Sequence, residues 1–325
     1  MYIPLTILTG VLLAVMVSIN GNLTAQYGMF PAAVIVHAVG VITALILCTA
    51  QKEKKKLTGH KPFWIYLGGA VGAATTVFQN QAFGTISMTS IVALGLLGQT
   101  AMSLFVDGFG LMGMKRHRFP KENIPGLALS FIGILTMFDS SISVSATVAI
   151  IISFGAGITV VLSRAFNAKL AECTGALRSS LIAHLVGLPV TILIAVLLVR
   201  ENPLERVAAM PFRPWIYIGG AMGVFVILLC NLTVPKISAY QLTVLTFVGQ
   251  IFTGILLDLF IGNDNQNATF WGGLIIAFGI ALNYFLTYRT QQSGCGCANN
   301  AALLPRALVD RKPTALEVGR SIRRR

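Results

Sequence analysis

Apolar residues along this chain form long runs that short polar or turn-forming segments separate. Runs of about 20 apolar residues have the length of a helix that crosses the hydrocarbon core of a membrane, whereas strands of a membrane barrel alternate over about 10 residues. The breaks carry turn-forming residues, such as Gly28 and Pro31 after the first run. The pattern predicts ten membrane-spanning helices, at 5–26, 31–50, 63–83, 87–110, 123–138, 146–168, 177–199, 214–234, 238–261 and 270–289.

One stretch of this pattern occurs twice. The segment 64–109 aligns without a gap with the segment 215–260, and 15 of the 46 aligned positions are identical. The identities include Trp, Asn, Gln and Asp, so the chain is predicted to contain a duplicated unit. Each unit has five helices, an odd number, and the second copy must therefore enter the membrane from the opposite side. The predicted fold is an all-α integral membrane protein with ten transmembrane helices in two inverted-topology repeats, residues 1–140 and 141–290.

Composition supports a membrane protein. Hydrophobic residues make up 55% of the chain and charged residues only 11%, which is too apolar for a soluble domain. The formal net charge of +13 would suggest nucleic acid as a partner of a soluble protein, but here Lys and Arg lie in short loops and in a tail. Membrane orientation explains these charges better. The expected partners are therefore the lipid bilayer and a small-molecule substrate, without nucleic acid.

The basic loops predict how the chain is oriented. Cytoplasmic loops collect Lys and Arg, and in the first half such residues lie between spans 2 and 3 and between spans 4 and 5: Lys52, Lys54, Lys55, Lys56, Lys61, Lys115, Arg116, Arg118 and Lys121. Both termini are then cytoplasmic. In the second half Arg164, Lys169 and Arg178 fall on the same, cytoplasmic side in this orientation. Arg200, Arg206 and Arg213 fall on the opposite side and do not follow the rule.

The remaining sequence carries no pattern of an enzyme. Phosphate-binding glycine motifs, HExxH and GxSxG are absent, so no cofactor, metal or catalytic site is expected. The five Cys residues do not suggest a disulfide framework. Residues 291–325 are polar and basic, and we expect a mostly disordered cytoplasmic tail that either is native and contacts lipid or is not native sequence.

Polar residues inside the spans are the candidates for function, because a polar side chain in hydrocarbon is costly unless it faces protein or water. Gln99, Ser103 and Asp107 are spaced four residues apart in the fourth span, and Gln250 and Asp258 repeat the pattern in the ninth. Such residues line one side of a helix, which is expected to face inward. The Gln residues are candidate substrate contacts. For the Asp residues, which lie near helix ends, gating or ion coupling and a structural cap or ion pair remain alternatives.

Two histidines also correspond between the repeats. His37 in the second span aligns with His184 in the seventh at an offset of 147 residues. An intramembrane pair could relay protons, because His titrates near neutral pH. Interhelical hydrogen bonding is the structural alternative.

Four asparagines complete the set of candidates. Asn20 and Asn22 make the first span the most polar of the first half, and Asn80 in the third span matches Asn231 in the eighth. Each could contact a substrate in the transport pathway. Each could equally form an interhelical hydrogen bond, which is worth about 1 kcal/mol in lipid.

The five-helix unit, the Asn in its first span and the Gln followed eight residues later by Asp resemble the YdcZ-type family of the drug/metabolite transporter superfamily. The resemblance covers residues 1 to about 290, with two family units fused in one chain. It implies a bacterial inner membrane exporter of ten helices. Small multidrug-resistance relatives place a Glu in the first helix to bind protons and cations. Here Asn20 and Asn22 occupy that span, which has no acid, so that mechanism is not expected.

These features predict a secondary transporter that moves a small polar metabolite or drug-like solute across the inner membrane by alternating access, with export as the direction that the resemblance implies. Few charges lie in the spans, so a neutral or singly charged substrate is expected. A monomer should suffice, since both repeats lie in one chain. The alternatives are a membrane-embedded enzyme or lipid-modifying protein, and a passive channel.

Overall fold

The structure is a computed structural model that describes residues 2–51, 62–113, 124–137, 143–199, 211–261 and most of 271–286. Helices fill these ranges: α1 (Tyr2–Tyr27), α2 (Met29–Ala50), α3 (Leu67–Ala82), α4 (Met88–Phe109), α5 (Ile124–Met137), α6 (Val144–Thr174), α7 (Ala176–Leu198), α8 (Ile218–Thr233), α9 (Ala239–Ile261) and α10 (Leu274–Asn283). The all-α prediction is confirmed. The tail 291–325 and the basic loops at 52–61 and 114–123 lie outside the described residues.

Six helical segments of the described chain are long and apolar enough to cross a membrane, by length and composition. They are α1, α2, α4, α6, α7 and the segment Pro214–Lys236 that contains α8. Shorter apolar helices, α5 and α10, accompany them. A single 3-10 turn leads into α3 and another into α8, at Phe63–Tyr66 and Pro214–Tyr217.

The helix bounds follow the predicted spans closely, except for α6. The prediction ended this helix at residue 168, but it continues to Thr174 because no helix-breaking residue occurs before Gly175. Gly175 has a φ of +95°, which favours glycine and ends the helix. Arg164 therefore lies about three turns before the end of α6 rather than near it, and it is buried inside the helix bundle. Its assignment to the cytoplasmic charges was therefore wrong.

Contacts between the two repeats come in matched pairs. A Cβ atom added to Gly68 would collide with the side chain of Asn167. One added to Gly219, the equivalent of Gly68, would collide with Asn20, the equivalent of Asn167. A contact that recurs with its partners exchanged indicates a twofold axis. The repeats are thus related by an approximate rotation, which is the arrangement that an odd number of helices per repeat requires in a membrane.

The fourth helix is the most enclosed of the six membrane-span candidates. In α4, 67% of an apolar 18-residue stretch is buried, against 28% to 50% in the other five. Its apolar residues form the largest buried cluster together with residues of α6, α9 and α10, among them Ile150, Phe247 and Ile276. The polar side chains of α4 whose burial is described are all enclosed by protein: Ser90, Gln99, Thr100, Ser103 and Asp107.

Glycines bring α4 and α6 into backbone contact. A Cβ atom on Gly157 of α6 would collide with the carbonyl oxygen of Gly95 on α4. Small residues at such points allow helix backbones to approach closely in a membrane. Gln99 lies one turn after Gly95, and Arg164 two turns after Gly157, so this approach brings the two side chains together.

Candidate functional site

The polar stripe on α4 faces the interior of the bundle, as its spacing predicted. Gln99, Ser103 and Asp107 are 3%, 0% and 5% exposed. Gln99 bonds to α6, whereas Ser103 and Asp107 both bond to α9, so all three side chains contact the second repeat. The stripe is thus a line of contact between the repeats, and its three residues have three different environments.

Gln99 is bound to a buried cation. The Nη1 atom of Arg164 donates a hydrogen bond of 2.9 Å to Oε1 of Gln99. Arg164 is 7% exposed, and its guanidinium also lies beside the thiol of Cys230 on α8. The second terminal nitrogen, Nη2, has no hydrogen-bond partner among the described residues. A charge-bearing donor is therefore buried in the bundle and only partly satisfied.

Ser103 lies on the wall of a small cavity next to this cation. Its hydroxyl and that of Thr243 on α9 are hydrogen bonded at 2.8 Å. The cavity is lined by Ser103, Val161, Arg164, Ala165, Val234, Ala239, Leu242 and Thr243. It has room for about one water molecule, so any larger ligand would require the helices to move apart.

Asp107 holds the start of α9. Its Oδ2 atom accepts a hydrogen bond of 3.0 Å from the backbone N–H of Tyr240, in the first turn of that helix. The first backbone N–H groups of a helix have no partner within the helix, and a carboxylate there satisfies one of them and interacts favourably with the helix dipole. This contact corresponds to the structural alternative for Asp107. The side chain of Asp258 lies outside the described residues.

The two repeats differ at the buried cation. Arg164 corresponds to Val17 in the first repeat, which is buried and apolar. Gln250, the equivalent of Gln99, is 6% exposed, and its Nε2 atom has no hydrogen-bond partner in the part of the chain that the structure describes. The described bundle therefore has the pair Gln99–Arg164 on one side of its approximate axis and Gln250 with Val17 on the other.

The two histidines meet between α2 and α7. Their ring centroids are 5.6 Å apart with the rings at 64°. The Nδ1 atom of His37 is 2.9 Å from the carbonyl oxygen of Ala33 in its own helix. Neither ring nitrogen of His184 has a hydrogen-bond partner within the described ranges. The pairing was expected from the alignment, and its role in proton relay remains a prediction.

The asparagines of α1 lie outside the cavity lining. Asn20 is buried, and its Oδ1 atom faces the close approach of α8 at Gly219. Asn22 donates from Nδ2 to the carbonyl oxygen of Ser18 at 2.9 Å, within its own helix. Asn20 thus packs against a neighbouring helix, and Asn22 bonds within its own helix. A substrate contact remains a prediction for both residues.

Asn80 and Asn231 make the same contact in the two repeats. Asn231 donates to the carbonyl oxygen of Ala176 at 2.9 Å, and Asn80 donates to that of Met29 at 3.4 Å. Met29 and Ala176 are the first residues of α2 and α7. These amides therefore join neighbouring helices, which was the structural alternative for both residues.

Arg164 is the site residue that sequence reasoning missed. The predicted sixth span, 146–168, contains Arg164, but the pattern of basic residues groups its charge with those at the cytoplasmic end of that span. Two signals pointed to it: α6 has no breaker until Gly175, eleven residues later, and the aligned residue of the first repeat is the apolar Val17. Within the described ranges, no group of three or more His, Cys, Asp or Glu side chains could hold a metal ion.

Comparison with known proteins identifies the family. The sequence profile of the family described as "Putative inner membrane exporter, YdcZ" matches residues 1–136 and again residues 148–282, so both repeats match. No curated protein matches the chain. Among the solved structures that match, one described as "Crystal structure of protein" is 13% identical, with a TM-score of 0.57, and the alignment covers 86% of this chain and 97% of that one. This likeness shows a shared fold alone.

Proposed function

The chain belongs to the YdcZ family of inner membrane proteins, and we propose that it is a secondary transporter that moves a small polar solute by alternating access. Family membership and the apolar helices support a multi-pass protein of the inner membrane. The family description supports export as the direction. The proposal adds the kind of solute, the mechanism and the residues that contact the solute.

The observation that carries the proposal is the small cavity between the repeats, whose mostly apolar lining includes the polar residues Ser103, Arg164 and Thr243. One wall comes from α4 of the first repeat through Ser103, and the others come from α6, α9 and the turn that follows α8 in the second. Transporters built from inverted repeats bind their solutes at the interface of the repeats. A solute held here would contact both repeats, so a rocking motion of one against the other would change which side of the membrane it can reach.

The small volume of the cavity fits a stage of such a cycle in which the repeats are closed on each other. It is too small for a metabolite in this conformation, with room for about one water molecule. Opening would separate α4 from α6 and α9, and it would break or rearrange the bonds Gln99–Arg164 and Ser103–Thr243. We therefore assign these two bonds to the closed state and expect them to be exchanged for contacts with water or solute when the cavity opens.

The proposed orientation puts both termini in the cytoplasm. Its basis is the set of Lys and Arg residues in the first-half loops, at 52–61 and 115–121. Arg164 no longer counts in this comparison, because it is buried in the bundle. Removing it leaves the assignment of the first half unchanged.

Reconstitution tests the proposal. The purified full chain is placed in liposomes and counterflow is measured with a panel of labelled small metabolites. A carrier gives flux that saturates with solute concentration and accelerates when unlabelled solute is present on the other side. Flux that does not saturate would indicate a channel, and chemical change of a solute would indicate an enzyme. Gln99→Ala should reduce carrier flux, and unchanged flux in both Gln99→Ala and Gln250→Ala would rule out this site.

A further inference from the structure

The charge of Arg164 is not neutralised by an acid in the described part of the chain. The ion pair found there joins Lys169 to Glu172 at 2.7 Å, on the exposed side of α6. Arg164 lies one to two turns earlier and is buried. A cation buried in a membrane bundle without a counter-ion is costly, and such residues usually mark a pathway or a ligand site. A negatively charged ligand would supply the counter-ion that the described residues do not.

The bonding of the guanidinium shows which part of it is available. Gln99 accepts from Nη1 and fixes the orientation of the planar group. Nη2 has no partner among the described residues. The thiol of Cys230 lies beside the guanidinium, but a thiol is a weak hydrogen-bonding group. Gln99 and Cys230 therefore use only part of the hydrogen-bonding capacity of the guanidinium.

The cavity beside Arg164 offers the complementary groups of a carboxylate site. Ser103 and Thr243 supply two hydroxyl groups on the same lining as the guanidinium. A guanidinium matches a carboxylate in shape and charge, because its N–H groups form a fixed fork. The rest of the lining is apolar, with Val161, Leu242 and Val234 among its members. Such walls fit the carbon skeleton of a small organic acid.

The asymmetry between the repeats limits the charge of the ligand. The residue that corresponds to Arg164 is Val17, so the duplicated position supplies one cation and not two. A ligand with one negative charge would neutralise the site, whereas a doubly charged phosphate would leave a net negative charge in the bundle. Resting on the proposed transport function, we infer that the solute is a small monocarboxylate, which Arg164 binds through its free N–H groups and which Gln99 helps to orient.

A thermal-shift measurement on the purified full chain tests this inference. Sodium acetate, lactate, pyruvate and benzoate are compared with acetamide, lactamide, pyruvamide and benzamide, with sodium chloride matching the ionic strength. A ligand that binds the native state raises the apparent melting temperature as its concentration passes its Kd. We expect at least one carboxylate to stabilise the protein and its amide to have no effect, because the amide lacks the charge.

Two variants locate the binding site. Arg164→Met should weaken the apparent affinity by roughly 10- to 100-fold, the range expected for loss of a hydrogen bond to a charged group. Arg164→Lys keeps the charge without the fork and should give an intermediate loss. Lys169→Gln is the matched control, because it removes an exposed cation from the same helix. In Lys169→Gln the carboxylate should raise the apparent melting temperature as much as it does in the unmodified chain.

Three results would overturn the inference: no carboxylate shifts the melting temperature, the amides shift it as much as the acids do, or Arg164→Met keeps the full shift. The first two comparisons use the unmodified chain, so they do not depend on whether a variant folds. Counterflow separates this inference from the proposed function. A carboxylate that binds but is never transported would contradict transport alone, and saturable flux of a neutral solute without any carboxylate binding would contradict the inference alone.

Discussion

The Nη1 atom of Arg164 and the Oε1 atom of Gln99 are 2.9 Å apart, and the bond between them joins the second repeat to the first. One partner comes from the duplicated pattern, since Gln99 has its equivalent in Gln250. The other partner departs from the pattern, since Arg164 is aligned with Val17 of the first repeat. The two repeats thus differ in charge at this buried position, where the second has Arg164 and the first has Val17.

Loss of Gln99 should destabilise the protein more than loss of its equivalent. Gln99→Ala removes the hydrogen bond that satisfies Arg164, and we expect the free energy of unfolding to fall by about 1 to 3 kcal/mol. Gln250→Ala should cost less, because the Nε2 atom of Gln250 has no partner among the described residues. Unfolding of both variants in one detergent gives the comparison. Equal losses would show that the bond to Arg164 does not stabilise the fold.

Replacement of Asp107 distinguishes a helix cap from an ion-coupling group. Asp107→Ala should lower the free energy of unfolding by about 0.5 to 2 kcal/mol, because the N–H of Tyr240 loses its acceptor. Asp107→Asn keeps an oxygen acceptor and should retain most of the stability and the counterflow. If Asp107→Asn were stable but inactive in counterflow, the negative charge would be required and the cap would not be its main role.

Close packing of α4 and α6 depends on Gly157. Gly157→Ala would drive a Cβ atom into the carbonyl oxygen of Gly95, and we expect a loss of about 1 to 3 kcal/mol in the free energy of unfolding. Gly108→Ala is the control, since a Cβ atom at Gly108 on α4 has no heavy atom within 4 Å. That variant should be neutral or slightly stabilising in a helix. Similar melting temperatures for the two variants would contradict the close approach.

The histidine pair should respond unequally to substitution. His37→Leu removes the contact between Nδ1 and the carbonyl oxygen of Ala33, whereas His184→Leu removes a ring without hydrogen bonds to the described residues. We expect His37→Leu to cost about 1 kcal/mol more in the free energy of unfolding. Thermal unfolding of the two variants side by side measures the difference. A larger cost for His184→Leu would mean that its ring has a partner in the working protein.

Hydropathy predicted most of the fold because membrane-spanning helices must be apolar over a nearly fixed length. The bounds of α2 and α7 therefore agree with the predicted spans to within two residues at each end. The inward face of Gln99, Ser103 and Asp107 followed from helical spacing and the cost of polar groups in lipid.

The partners of these residues could not be predicted in the same way. A sequence pattern shows which side chains share one face of a helix, but the contact of Asp107 with the start of α9 depends on how separate helices pack. Arg164 was misplaced for a related reason. Hydropathy places a lone cation near a membrane surface by default, and only the contact with Gln99 shows that α6 holds it inside the bundle.

Accessibility of the cavity from the two sides of the membrane tests the central claim most directly. Ser103→Cys is made in a chain whose five native cysteines are replaced, and membrane-impermeant thiol reagents are applied separately to each face of sealed vesicles. Ser130→Cys is the control, because Ser130 is buried against α10 through the carbonyl oxygen of Ile276. Alternating access predicts that Cys at position 103 is labelled from both faces while the control is labelled from neither. Labelling of position 103 from one face only would contradict the account.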